Sequence, residues 1–265
     1  MAALLLSGCT SGPSDGKRET LKVDGSTTVF PFGQKAAEKY MDEHSNADIQ
    51  VSSTGSGAGI TAVGQKTAGI GMSSRALKSS ETALYPDLKP VVVAKDAIAL
   101  LVHKNNPLSS LNLTQIRGIY NGTFKNWKDV GGADLAIVPI GRDAASGTRE
   151  YFTEHVMKME NYTTGMLEKN SGSAIKESVA QTPGAIGYVG LGFIDSSVKA
   201  LKISTQTGDI EASIANVLNG TYPISRDLYF ITNGEPTGLA KKFLEFVLSA
   251  EGQKIAQEEG FVPVK

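Results

Sequence analysis

Residues 20–44 read TLKVDGSTTVFPFGQKAAEKYMDEH. Residues 20–24 have the composition of a short strand. Residues 25–31 form a Gly, Ser and Thr loop ended by a proline, and residues 32–44 carry helix formers at helical spacing. Strand, glycine loop, helix is the unit from which α/β sheets are built. The unit recurs: residues 49–53 read as strand, 54–59 as a Gly/Ser loop and 60–66 as a short helix. A third strand, 68–72, ends in Ser73-Ser74-Arg75 and leads to a polar helix at 77–84.

Further along, residues 91–94 and 98–103 predict a pair of strands around Lys95-Asp96, stopped by Asn105-Asn106-Pro107. Helix is predicted at 113–120, and a strand at 136–141 runs into Arg142-Asp143-Ala144-Ala145-Ser146-Gly147-Thr148 and a helix at 149–159. A helix at 174–181, strands at 185–189, 201–204 and 229–232, and helices at 239–250 and 252–259 complete the chain. Serial βα units with a mid-chain excursion predict a doubly wound α/β fold in two lobes, with a small-ligand cleft between them. The chain is expected to cross between lobes near residues 96–104 and 186–204. Lobe I is then 20–100 plus 200–265, and lobe II is 101–199.

The 265 residues include 26 basic and 27 acidic side chains. A net charge of -1 gives no basic surface for nucleic acid, so any anion site must be local. The single cysteine, Cys9, excludes a disulfide framework and follows Leu6-Ser7-Gly8 after a short apolar run. That pattern is similar to a lipobox, predicting a signal peptide at 1–9, lipidation of Cys9 and a polar tether at 10–19. The expected location is the outer face of the cell membrane.

Three loops share one design: Gly25-Ser26-Thr27-Thr28-Val29-Phe30, Gly55-Ser56-Gly57-Ala58-Gly59 and Ser146-Gly147-Thr148. Each follows a strand and opens a helix, where unpaired N–H groups and the helix dipole attract an oxyanion. Their hydroxyls add donors, which suits a desolvated tetrahedral anion rich in lone pairs. Arg142 is positioned to supply full charge, and Arg75 is a second candidate; Arg149 is expected to be structural. His44, His103 and His155 have no helical-spacing partner, and neither a metal motif nor an acid/base pair is visible. No cofactor is expected, and Trp127 is expected to be a structural anchor.

These motifs, with Ile70-Gly71-Met72-Ser73-Ser74-Arg75, Ile119-Tyr120-Asn121-Gly122, Asn126-Trp127 and Gly184-Ala185-Ile186-Gly187-Tyr188, are spread over residues 20–265. The chain thereby resembles the phosphate-binding proteins of phosphate ABC transporters, which have the type II periplasmic-binding-protein fold. The resemblance implies inorganic phosphate as ligand, a membrane permease as partner, lobe closure on binding, a monomer and no enzymatic activity. Residue by residue, it implies phosphate contacts from Thr28, the N–H of Val29, Ser56, Ser146, Gly147 and Thr148, with Arg142 pairing the charge. Thr27 in the first loop, with Ser74 and Arg75, completes the expected site. At the position of Ser74 the familiar members carry an aspartate that accepts the ligand's proton, so weaker exclusion of sulfate is expected. The orienting aspartate two residues after the arginine is replaced by Ala144, with Asp143 one position earlier. The other readings are a receptor for sulfate, molybdate or tungstate, or a phosphate sensor without a permease.

Overall fold

The computed structural model of the chain describes residues 18–264; Cys9, the expected signal peptide and most of the expected tether lie outside the described residues. The first lobe opens with β1 (Glu19–Gly25), α1 (Phe30–Glu43), β2 (Ala47–Ser52), α2 (Ser56–Gly64), β3 (Ile70–Ser73) and α3 (Ser79–Leu84). A long strand, β4 (Leu88–His103), leads to β5 (Ser110–Asn112), α4 (Leu113–Tyr120), β6 (Val138–Arg142), α5 (Gly147–His155), β7 (Leu167–Lys169) and α6 (Gly172–Gln181). Then come β8 (Ala185–Gly190), β9 (Val198–Thr205), β10 (Gly208–Ile210) and α7 (Ile214–Leu218). The chain returns through β11 (Ser225–Asn233) and closes with α8 (Gly238–Val247) and α9 (Ala250–Glu258).

β1 runs parallel to β2 on one side and β3 on the other, as helical crossovers require. Leu21 and Val23 on β1 and Ile70 and Met72 on β3 pack with Phe32, Ala36 and Tyr40 of α1. On the opposite face Ile60 and Val63 of α2 meet Leu88 and Ile231. Both helices begin earlier than the sequence predicts. Pro31 sits in the first turn of α1, where its missing N–H is no loss. Gly55, at φ 105°, turns the chain directly into α2, so Ser56-Gly57-Ala58 is a helical turn rather than a loop.

The larger difference is β4. Instead of two strands it is one strand of 16 residues that serves both lobes. Its first part, Leu88 to Ala97, pairs antiparallel with β11, and from Ile98 onward it pairs with β8 and β9. Its alternation feeds two cores in the second lobe. Leu100 and Val102 pack with Trp127, Phe152 and Tyr188, while Ala99 and Leu101 pack with Ile140, Ile175 and Val179. β9 lies on β4 and β5, and Leu201, Ile203, Val217, Tyr222 and Ile224 join the Trp127 core. The chain therefore returns to the first lobe at Ser225, and residues 200–224, expected in lobe I, pack with lobe II.

Lys95 and Asp96 are polar because they mark the crossing and not because the strand breaks there. Asp96 faces Arg226 across the β4–β11 ladder. Both side chains are buried, with Arg226 Nη2 and Nε donating to Asp96 Oδ2 at 2.7 and 3.1 Å. The N–H of Leu191 donates to Asp96 Oδ1 at 2.9 Å, and Arg226 Nη1 donates to the carbonyl of Ser74 at 3.1 Å. This pair fastens both crossing strands to the end of β3 and to the turn after β8. Removing one member leaves a buried charge without its counterion. Arg226→Met is expected to cost about 3–5 kcal/mol in denaturant unfolding, and the double variant with Asp96→Asn to recover part of that loss.

Candidate functional site

The three expected loops converge at the interlobe cleft. In the first, Gly25 turns the chain at the end of β1, and Ser26 N–H donates to Met72 O at 2.9 Å, holding the loop against β3. Ser26 Oγ accepts from the N–H groups of Thr28 and Val29 at 3.2 and 3.4 Å. The Val29 amide, expected to face a ligand, thus makes a long bond to Ser26 of its own loop. Thr28 is buried, and Thr27, half-buried, lines the cleft.

The second loop is tied to the first by Gly55 N–H donating to Gly25 O at 2.8 Å. Ser56, at the first position of α2, is fully buried and its Oγ lies 3.3 Å from Ser74 Oγ. Ser74 N–H also donates to Ser56 Oγ, at 3.2 Å, so the two hydroxyls form one patch.

The third loop comes from the second lobe and meets the other two. Thr148 Oγ1 lies 2.8 Å from Thr28 Oγ1. A side chain at Gly147 would strike the hydroxyls of Ser56 and Ser74, and one at Gly55 would lie 2.6 Å from Ala145 O. Glycine is required where α2 and α5 start against one another. Ser146 Oγ caps its own helix by accepting from Arg149 N–H at 3.2 Å. Among the described residues, no protein acceptor takes the N–H groups of Ser56, Gly57, Gly147 or Thr148. Two positive helix ends from opposite lobes therefore face one cleft.

Arg142 ends β6 and is 3% exposed. Its Nε donates to Lys169 O at 3.2 Å and its Nη2 to Asn170 O at 2.9 Å. Its own N–H donates to Tyr188 Oη at 3.2 Å. The partners that orient it, an open question in the sequence, are two main-chain carbonyls. Of the five guanidinium donors, the remaining ones stay available. Asp143 Oδ1 is 4.0 Å from Arg142 Nη2, and this buried oxygen has no hydrogen-bond partner. Burial pulls the Arg142 pKa down; Asp143 opposes this in part, and the nearby charge of Arg226 adds to it. A small cavity of about 190 Å³ lies here, lined by Thr27, Thr54, Gly55, Arg142, Asp143 and Ser171.

Arg75 does not join this cluster. It forks onto Glu81 with 2.6 and 2.8 Å bonds and meets Glu150, facing a separate cavity of about 1180 Å³. Arg149 is structural as expected. It binds Glu168 and, at 2.6 Å, the carbonyl of Arg142, and it stacks 4.9 Å from the centre of the Tyr162 ring. Trp127 is buried and donates to Gly184 O at 3.0 Å, an anchor and not a ligand platform. Among the described residues no group of acidic, histidine or cysteine side chains could hold a metal ion. No helix there is long and apolar enough to cross a membrane.

The arrangement is a compact set of N–H and O–H donors with one buried cation, suited to a small oxyanion and offering no nucleophile–base pair. A PBP superfamily domain model matches residues 10–251. The phosphate-binding protein PstS of Bacillus subtilis is 34% identical over 247 residues, covering 92% of this chain and 81% of that protein. Its namesake from Pseudomonas aeruginosa PAO1 is 34% identical over 263 residues, with 91% and 81% covered. Among solved structures, a candidate phosphate ABC transporter substrate-binding protein with bound phosphate from Clostridium perfringens superposes with a TM-score of 0.87 at 38% identity, over 93% of this chain and all of that one. An ABC-type phosphate transport receptor from Vibrio cholerae gives 0.77 at 31%, over 91% of this chain and 99% of that one. The two-lobed architecture is that of a type II periplasmic binding protein. With matches that run along nearly its whole length, the chain belongs to the phosphate-binding-protein family of the PBP superfamily.

Proposed function

We propose that this protein is the extracytoplasmic receptor of an ABC-type phosphate importer, closing its two lobes on inorganic phosphate and passing it to a membrane permease. The observation that carries the reading is the meeting of the α2 and α5 starts, from opposite lobes, around the hydroxyls of Thr28, Ser56, Ser74 and Thr148. Unpaired N–H groups there hold an anion without needing a full charge at each contact. Arg142, buried and braced by two carbonyls, adds the one cation. Phosphate docks on the first lobe's loops, and Arg142 with residues 146–148 closes over it. The closed form gains population only through the contacts that the second lobe adds.

The reading includes a monomer that binds without catalysis. It is tethered at the outer face of the cell membrane by a lipid on Cys9, whose Leu6-Ser7-Gly8-Cys9 setting supports that anchor.

One observation favours a broader anion range. Where a carboxylate would repel an anion with no proton to donate, Ser74 presents a hydroxyl hydrogen-bonded into the Ser56 patch. A hydroxyl can accept the ligand's proton, yet it carries no charge to exclude sulfate. Sulfate is therefore expected to compete measurably with phosphate. Ser74→Asp is expected to widen the phosphate-to-sulfate affinity ratio by about tenfold or more, since a like charge costs more than about 1.4 kcal/mol in a desolvated site. Calorimetric competition checks this, and an unchanged ratio would remove Ser74 from selectivity. For Arg142→Ala the expected loss of phosphate affinity is at least about tenfold, and binding unaltered by calorimetry would reject its role.

A further inference from the structure

Arg75 lies outside the anion cluster, and its partners give it another task. On the first lobe, Arg75 Nη1 and Nη2 fork onto Glu81 Oε2 and Oε1 at 2.8 and 2.6 Å, and Nη1 also donates to Ala76 O at 2.8 Å. Glu81 is fixed in turn by the N–H of Lys78 at 2.8 Å. From the second lobe, Glu150 reaches across to Arg75 Nε, and its other oxygen lies 3.0 Å from Lys78 Nζ. Arg75 Nε and Glu150 Oε2 are both buried and meet as an ion pair, with no hydrogen-bond partner among the described residues. Burial works against ionisation of both Arg75 and Glu81, but the facing carboxylates hold Arg75 above its usual range, and Arg75 and the Lys78 amide hold Glu81 below its own.

We propose that Glu150 is an interlobe latch that holds the cleft shut and sets how fast the ligand leaves. This rests on the reading of the cleft as the phosphate site. Glu150 sits in α5 within one turn of Gly147 and Thr148, whose N–H groups face that site. The same rigid helix thus carries the ligand contacts and the latch, and neither can part from the first lobe without the other. Across the gap, Arg75 and Lys78 against Glu81 leave one positive charge on the first lobe, met by the single negative charge of Glu150. On opening, Arg75 keeps its fork on Glu81, so no buried guanidinium is abandoned. The latch therefore releases at a smaller cost than the breaking of an isolated buried pair. Its place beside the large cavity gives water access to Glu150 as the lobes separate.

The test compares the parent protein with Glu150→Gln, Lys78→Gln and the double variant, using phosphate titration, stopped-flow dissociation and solution scattering of ligand-free protein. Glu150→Gln is expected to weaken binding about tenfold through faster dissociation, and to enlarge the ligand-free radius of gyration. Lys78→Gln alters the latch from the other lobe without touching α5; it is expected to speed dissociation about two- to threefold, and to add nothing once Glu150 is Gln. Dissociation from Glu150→Gln within about twofold of the parent would overturn the latch. So would additive effects of the two substitutions, which would place the role of Glu150 within its own helix. Should Glu150→Gln fail to fold, unchanged dissociation from Lys78→Gln overturns the proposal and acceleration supports it. A parent protein that binds no phosphate would refute the ligand assignment instead, and the scattering comparison would then decide the latch alone.

Discussion

A main-chain N–H taken out of water needs an acceptor, and leaving one unmet costs about 1–3 kcal/mol. The starts of α2 and α5 bring such groups together from opposite lobes at Ser56, Gly57, Gly147 and Thr148. Much of the rest follows from that. Glycine at 55 and 147 lets the two helix ends approach, and the Ser26 hydroxyl caps the amides of the neighbouring loop so that they need no other acceptor. Arg142 is braced by carbonyls and not by a tight carboxylate pair, so more of its charge remains for an anion. On the proposed reading the site selects by shape and donor count, and Ser74 in place of a carboxylate weakens selection for the ligand's own proton.

The same geometry requires that the lobes move as units and meet in register. β4 supplies the continuity, because one strand carries hydrogen bonds to the sheets of both lobes. The Asp96–Arg226 pair sits where that strand changes partners, and Arg226 also holds the carbonyl of Ser74. The crossing is thus joined directly to the rim of the site. Arg75 and Glu150 add a second polar contact between the lobes and line the same large cavity as Arg226.

The first lobe was legible because its βα units repeat a local pattern of strand, Gly/Ser loop and helix. The convergence of the three loops followed from that repetition and from the position of Arg142 at a strand end. Long-range pairing was not legible in the same way. Lys95-Asp96 inside an apolar run looks like a break until Arg226, 130 residues later, supplies the partner. Residues 200–224 were expected in the first lobe because nothing local in 201–204 says that it pairs with β4 beyond Leu100. Arg75 beside two serines reads as an anion ligand, and only the fold brings Glu150 to it. Glu81, six residues on, was the one sequence hint of another partner. The bracing of Arg142 by Lys169 and Asn170 left no trace in the sequence, since a carbonyl is the same at every residue.

The central claim is that helix-start amides grip the anion, and amide-resolved NMR during phosphate titration of ligand-stripped protein tests it most directly. The account predicts the largest proton shifts and the strongest new exchange protection at Ser56, Gly57, Gly147 and Thr148. Shifts centred instead on the large cavity beside Tyr151 and Asp227, with those amides unmoved, would contradict it.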